Sequence, residues 1–146
     1  MKGQEMMKDV FLLVGRLCVV FVFVFSIVGH LADFTGMQDF MANYGMPYTA
    51  FFLTSSLVVR AIGSASIILG YRTVWGVGLL TVFLIPTTLI FHLDFKNPVE
   101  GIAFMENVGL QGALLLLAAA GPGRFSLEGW KRRITPEKAE RLLLVG

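Results

Sequence analysis

The chain has 146 residues, 55% of them hydrophobic and 15% charged, with a formal net charge of +2 and a mean hydropathy of +0.73. Soluble domains carry about 25% charged residues, so this composition excludes a disordered chain, a nucleic-acid module and an ordinary soluble enzyme, and the length allows one domain. The single cysteine, Cys18, excludes an internal disulfide, a CxxC redox pair and a cysteine-rich metal site.

A membrane span needs roughly 20 apolar residues. Four stretches reach that length: about Val10 to Leu31, Thr49 to Leu69, Val74 to Leu93 and Gly101 to Ala120. Val and Phe crowd the first and would favour a strand in water. In lipid every backbone amide must be paired within its own segment, which selects helix. Lys2 and Lys8 precede the first stretch as in a secretory leader. Its apolar run exceeds the roughly 7–15 residues of a leader's core and no A-x-A site follows, so it reads as a retained helix. The expected fold is an all-α integral membrane protein, a single domain over residues 1–146 built as an antiparallel four-helix bundle.

The first outer loop, DFTGMQDFMANYGMP, spaces Met37, Phe40, Met41 and Tyr44 at i, i+3, i+4 and i+7, with Gln38, Asp39 and Asn43 on the other face. That pattern predicts a short amphipathic helix at the outer interface, ended by Gly45 and Pro47. Small residues mark where helices can approach: Ala61, Ser64 and Ala65, then Gly76 and Gly78, then Gly109, Gly112 and Ala113. Pro86 removes the N–H that the Val82 carbonyl would accept and predicts a kink, with Thr87 and Thr88 as local compensation. The tail, residues 121–146, contains Thr135-Pro136-Glu137, a capped helix start with proline at its first position. The tail's Lys/Arg cluster reads as a solvated segment that enforces topology. A second reading is attraction of anionic headgroups, at about 1 kcal/mol per charge.

Orientation follows from the basic residues. Lys2, Lys8 and Arg16, Arg72 in the tight turn, and Arg124, Lys131, Arg132, Arg133, Lys138 and Arg141 in the tail all fall on one side, against Lys96 alone on the other. The positive-inside rule then puts both termini in the cytoplasm.

Ionisable residues inside the spans cost at least about 2.5–3.5 kcal/mol each on insertion scales, so function is sought there first. Arg60 lies eleven residues past Thr49, about 16 Å deep at 1.5 Å per residue. It needs an internal partner, and Glu106 is the candidate, as a structural ion pair that sets helix register or as a pair that binds a polar headgroup or moves protons. Arg16, nearer the cytoplasmic end, reads as an interface anchor that snorkels inward. Cys18, among Val and Phe, reads as a buried inert thiol. His30 and His92 end the first and third spans at matched depth. They fit interfacial histidines touching water, Asp33 or Asp94; proton carriers; or, at low weight, the axial ligands of a haem. Met37, Met41, Met46 and Met105 match an interfacial apolar stripe better than a copper site, and no metal site is assigned. His30, Asp33, Arg60, His92, Glu106 and Asn107 together suggest a polar cup open to the outside beneath the Met/Phe helix.

Two segments carry a resemblance. GRLCVVFVFVFSIVGHLADFTGMQDFMANYGMP and MENVGLQGALLLLAAAGPGRFSLEGW are similar to the DoxX family of small four-span bacterial membrane proteins, from about Arg16 to Trp130. By this match Arg16 takes the family's first-helix Arg, His30 a position usually held by Lys, Asn107 the fourth-helix Asn, and Gly121, Pro122, Gly123 and Arg124 the exit motif. Arg60 stands where many members carry Glu, and Glu106 where many carry Lys. The inverted signs would preserve an ion pair. The resemblance implies the bacterial inner membrane and a redox connection: subunits of quinol oxidases or thiosulfate:quinone oxidoreductases, or membrane partners of oxidant-defence complexes. Three readings follow. The first is a quinone-linked redox component whose electrons come from a partner enzyme, the outer cup holding the quinone. The second is a non-catalytic anchor subunit. The third is a small-molecule carrier, which a homodimer would favour. No catalytic residue is assigned.

Overall fold

The structure is a computed structural model and describes residues 2–134. Among these it forms α1 (Lys2–Ala32), α2 (Phe34–Asn43), α3 (Thr49–Leu69), α4 (Thr73–Phe91), α5 (Pro98–Ala120) and α6 (Leu127–Ile134), with no strand. α1, α3, α4 and α5 are long and apolar enough to cross a membrane. They match the four expected spans. α1 starts well before Val10, because a helix continues past the edge of the oil wherever its amides can still pair. The expected helix start at Thr135-Pro136-Glu137, with Lys138 and Arg141, lies outside the described residues.

The four long helices form a ring in which α3 packs on α1 and α4, and α5 packs on α4 and α1. The main core is Val19, Val20 and Phe23 of α1, Ile67 of α3, Val77, Leu80 and Leu84 of α4, and Leu114 and Leu117 of α5. The outer faces carry Phe21, Phe25, Val58, Ile62, Val82 and Leu116, all exposed. Such surface is stable only against lipid.

The tightest crossing joins α3 and α4. A Cβ on Gly76 would stand 2.8 Å from Ser66 Oγ and 2.9 Å from the Gly63 carbonyl oxygen, so the backbones meet there directly. Of the small residues expected at interfaces, Gly76 and Ser64 are buried, whereas Ala61, Ala65, Gly78 and Gly109 face outward. α4 runs unbroken through Pro86. The hydroxyls of Thr87 and Thr88 donate to the carbonyls of Phe83 and Leu84 at 2.8 and 2.7 Å, one and two positions on from Val82. Cys18 is exposed, on the outside of α1, which corrects its expected burial.

α2 is the amphipathic helix of the first loop. The Asp33 side chain caps it, accepting from the Gly36 N–H at 3.0 Å. Met41 is buried, and Met37, Phe40 and Phe34 pack with it on Leu53 and Leu57 of α3, Phe91 of α4 and Ile27 of α1. Phe40, Tyr44 and Phe91 close on one another with ring centroids 5.0–5.5 Å apart. The helix is thus a lid fastened on one end of the bundle.

The other end is closed by the segment after α5. Gly121 and Gly123 take φ of +74° and +72°, which favour glycine. A Cβ at Gly123 would also press on Leu12 and Asp9 at 3.2–3.3 Å. The buried Asp9 carboxylate accepts from the Arg124 N–H at 2.9 Å, and Glu128 accepts from the Arg72 N–H at 2.6 Å. Arg72 sits at φ +49°, and this bond helps hold it in a strained conformation. Ser126 caps α6, accepting from the Gly129 N–H at 2.9 Å.

Candidate functional site

Arg60 is fully buried, at 0% exposure, in the seam between α1 and α3. Its Nη1 donates to Ser26 Oγ at 2.8 Å, its Nη2 to Ser56 Oγ at 3.2 Å and to His30 Nδ1 at 2.9 Å, and its Nε to the Ser56 carbonyl at 3.3 Å. The guanidinium carbon also lies 4.6 Å from the centre of the Phe83 ring, a cation–π contact. These partners follow from helix geometry. Ser26 and His30 are four apart on α1, and Ser56 and Arg60 four apart on α3, so each pair shares a face one turn apart. Arginine has no acceptor, so His30 Nδ1 must accept here. The imidazole proton of the neutral ring is then assigned to Nε2.

Glu106 is not among these partners, and the expected ion pair does not form. Glu106 lies on the exposed face of α5, and α5 stands across the ring from α3, with α1 and α4 between them. Arg60 makes no ion pair with any carboxylate among the described residues. Its charge is met only by neutral acceptors and an aromatic face.

The six residues expected to form one outer cup separate into four places. Arg60 and His30 stay together. His92 turns to Glu100 at the head of α5, Nδ1 to Oε2 2.6 Å, a partner that the packing of α4 on α5 supplies in place of Asp33 or Asp94. Asp33 is spent on capping α2. Glu106 and Asn107 stay on α5, where neither makes a hydrogen bond or ion pair among the described residues. The expected pocket therefore contracts to a compact site of Ser26, His30, Ser56 and Arg60 with Phe83 beside it. Ile27 and Leu57, on which the α2 lid packs, each follow a serine of this site by one position, so α2 packs at its level. Ser26 and Ser56 were visible in sequence through their four-residue spacing from His30 and Arg60.

Arg16 is also buried, at 1% exposure, and does not snorkel as expected. Its Nη2 donates to the Phe125 carbonyl, while Nε and Nη1 are buried without a hydrogen-bond partner. Gly70 packs against this guanidinium at the end of α3, where any Cβ would collide with it. The exit segment folds back over the arginine and holds it inside.

Comparisons with known proteins bear on this geometry. The family model described as DoxX matches residues 11–93, from within α1 to just past the end of α4. The chain is similar to the inner membrane protein YqjF of Escherichia coli strain K12, 30% identical over 86% of this chain and 95% of that protein. It is also similar to the inner membrane protein YphA of the same organism, 31% identical over 83% of this chain and 90% of that protein. No solved structure matches. With four apolar helices, these relatives identify a multi-pass protein of the inner membrane.

Proposed function

The chain belongs to the DoxX family, and from that premise we propose that it is a quinone-linked component of a membrane oxidoreductase assembly, with Arg60 and His30 holding a quinone oxygen and a partner protein supplying the electrons. One observation carries this reading: a fully buried guanidinium with no carboxylate paired to it among the described residues, beside a histidine whose Nε2–H is left to donate. The donor set fits such a ligand. Arg60 Nη1 carries two N–H groups and Ser26 takes one; His30 keeps Nε2–H, and its side chain is only partly buried. Oxygen that gains negative charge on reduction is stabilised most by a fixed cation in a dry site. A bound quinone supplies the two-electron redox chemistry. Arg60 would orient its oxygen, His30 would donate a hydrogen bond to it from Nε2–H, and the α2 lid would keep water away.

We further propose that both termini face the cytoplasm. The start of α1, the Arg72 turn and the basic α6 lie at one end, against Lys96 at the other, which supports that orientation.

The test uses the full chain in mild detergent, titrated with a short-chain benzoquinone while thermal stability is followed. Quinone is expected to raise the melting temperature of the parent. Arg60→Lys and His30→Gln should each bind at least about tenfold more weakly, the cost of one charged hydrogen bond. No stabilisation at saturating quinone, or equal stabilisation in both variants, would overturn the reading. The second reading, a non-catalytic anchor subunit, would then stand. It is favoured by the same network, since four guanidinium hydrogen bonds are already made inside the bundle, and the two to Ser26 and His30 fix α1 against α3.

A further inference from the structure

At the end of the bundle away from the lid, the start of α1, the exit from α5 and one face of α6 enclose a cleft of about 550 Å³. That volume falls within the roughly 300–1,000 Å³ of small-molecule sites. Its wall is built rather than incidental. Asp9 is buried and grips the Arg124 amide, and its second oxygen lies 3.7 Å from Arg124 Nε. Glu128 is engaged with the Arg72 amide. Two of the three carboxylates in the wall are therefore already committed to the fold. Of the four cations in the wall, Arg124 and Arg132 are engaged as well. Lys8 and Arg133 line the cleft, are exposed, and make no hydrogen bond or ion pair among the described residues. Glu5 is the one acid left over on the rim.

We propose that this cleft binds a phosphate group, presented by a lipid headgroup or by a soluble phosphate. Lys8, Arg124, Arg132 and Arg133 outnumber the acids Glu5, Asp9 and Glu128 in the wall, Lys8 and Arg133 supply charge that the fold does not use, and Arg124 presents a guanidinium whose fork geometry suits phosphate oxygens. Asp9 holds Arg124 in place from behind. The cleft opens where α1 leaves its apolar run, which is the depth at which headgroup phosphates lie. The site is independent of Arg60 and its quinone reading, since the two stand at opposite ends of the bundle.

The test is native mass spectrometry of the full chain in mild detergent with dioleoylphosphatidylglycerol, dioleoylglycerol or inorganic phosphate. Phosphatidylglycerol retained where dioleoylglycerol is not identifies the phosphate as the recognised group. Inorganic phosphate that displaces the lipid at millimolar concentration assigns the site to soluble phosphates; failure to displace it assigns the site to lipid. Lys8→Gln and Arg133→Gln should each weaken binding about fivefold, the effect of one interfacial charge. Glu5→Gln should strengthen it. Lys131→Gln removes the same charge from the same end but outside the cleft, and should change binding less than twofold. Equal retention of dioleoylglycerol, no effect of Lys8→Gln and Arg133→Gln, or an equal loss in Lys131→Gln would overturn the proposal. Glu5, Lys8 and Arg133 are exposed side chains that no fold contact described above uses, so folding should survive their substitution; Lys131 Nζ lies 4.7 Å from the centre of the Tyr71 ring, so Lys131→Gln is compared with the parent alongside its thermal melt.

Discussion

Arg60 takes a positive charge into an apolar bundle and meets it with serines, a histidine and a phenylalanine. A buried charge is tolerable when most of its hydrogen-bonding capacity is filled, as four of the five guanidinium N–H groups are here, even where no opposite charge sits beside it. Each acceptor then matters. Ser26→Ala leaves one guanidinium N–H facing hydrocarbon and should destabilise the protein by about 1–3 kcal/mol. Denaturation in detergent checks this. Glu106→Gln should leave stability within about 0.5 kcal/mol of the parent, as for a surface position free of structural contacts. A drop as large as that of Ser26→Ala would show that Glu106 has a partner. The sequence made Arg60 conspicuous and offered Glu106 as its mate, because both are ionisable and intramembrane. The spacing of Ser26 to His30 and of Ser56 to Arg60 held the better clue. It needs no knowledge of which helices adjoin, only that residues four apart share a face.

Helix contacts are decided by shape more than by the presence of glycine. Gly76 and Gly78 read alike in sequence, yet only Gly76 faces a neighbour, with Gly63 opposite it; a Cβ on Gly78 would meet open space. Gly76→Ala should force α3 and α4 apart at a cost of roughly 1–3 kcal/mol, as overpacking does. Gly78→Ala should be neutral or stabilise by up to about 1 kcal/mol through helix propensity. Paired thermal melts separate the two. α2 obeys the same logic from its start. Its apolar stripe was legible as a helix, but whether that stripe floats in the interface or clamps a bundle was not. Asp33, read as part of a ligand cup, is an N-cap instead. Asp33→Ala should cost about 1 kcal/mol and loosen the lid, seen as faster amide hydrogen exchange over Phe34–Asn43.

Across the whole molecule, one end is closed by an apolar lid and the other by a polar clasp. The clasp ties three separate parts of the chain: Asp9 to Arg124, Arg16 to Phe125, and Glu128 to the turn at Arg72. Its parts are distant in sequence, so the GPGRFSLE segment looks like a plain tail until the ends of α1 and α3 are placed against it. Arg16, expected to anchor in the headgroups, is covered by this segment. Replacing Asp9 and Glu128 together by alanine should free the segment after α5. Limited trypsin digestion should then cleave at Arg124 within the time in which the parent stays intact.

Four apolar runs of membrane length, the short connections that force them antiparallel, and the amphipathic stripe of the first loop were all written in the order of residues. Hydrocarbon leaves a backbone no partner but itself, and local periodicity is enough to see that. Which intramembrane side chains meet was a matter of ring order. Two charges on diagonal helices cannot pair however well their depths agree, and two histidines at one level end up with different partners because each is carried by a different neighbour. Depth is a property of one chain segment; adjacency belongs to the assembled bundle, and only adjacency makes a site.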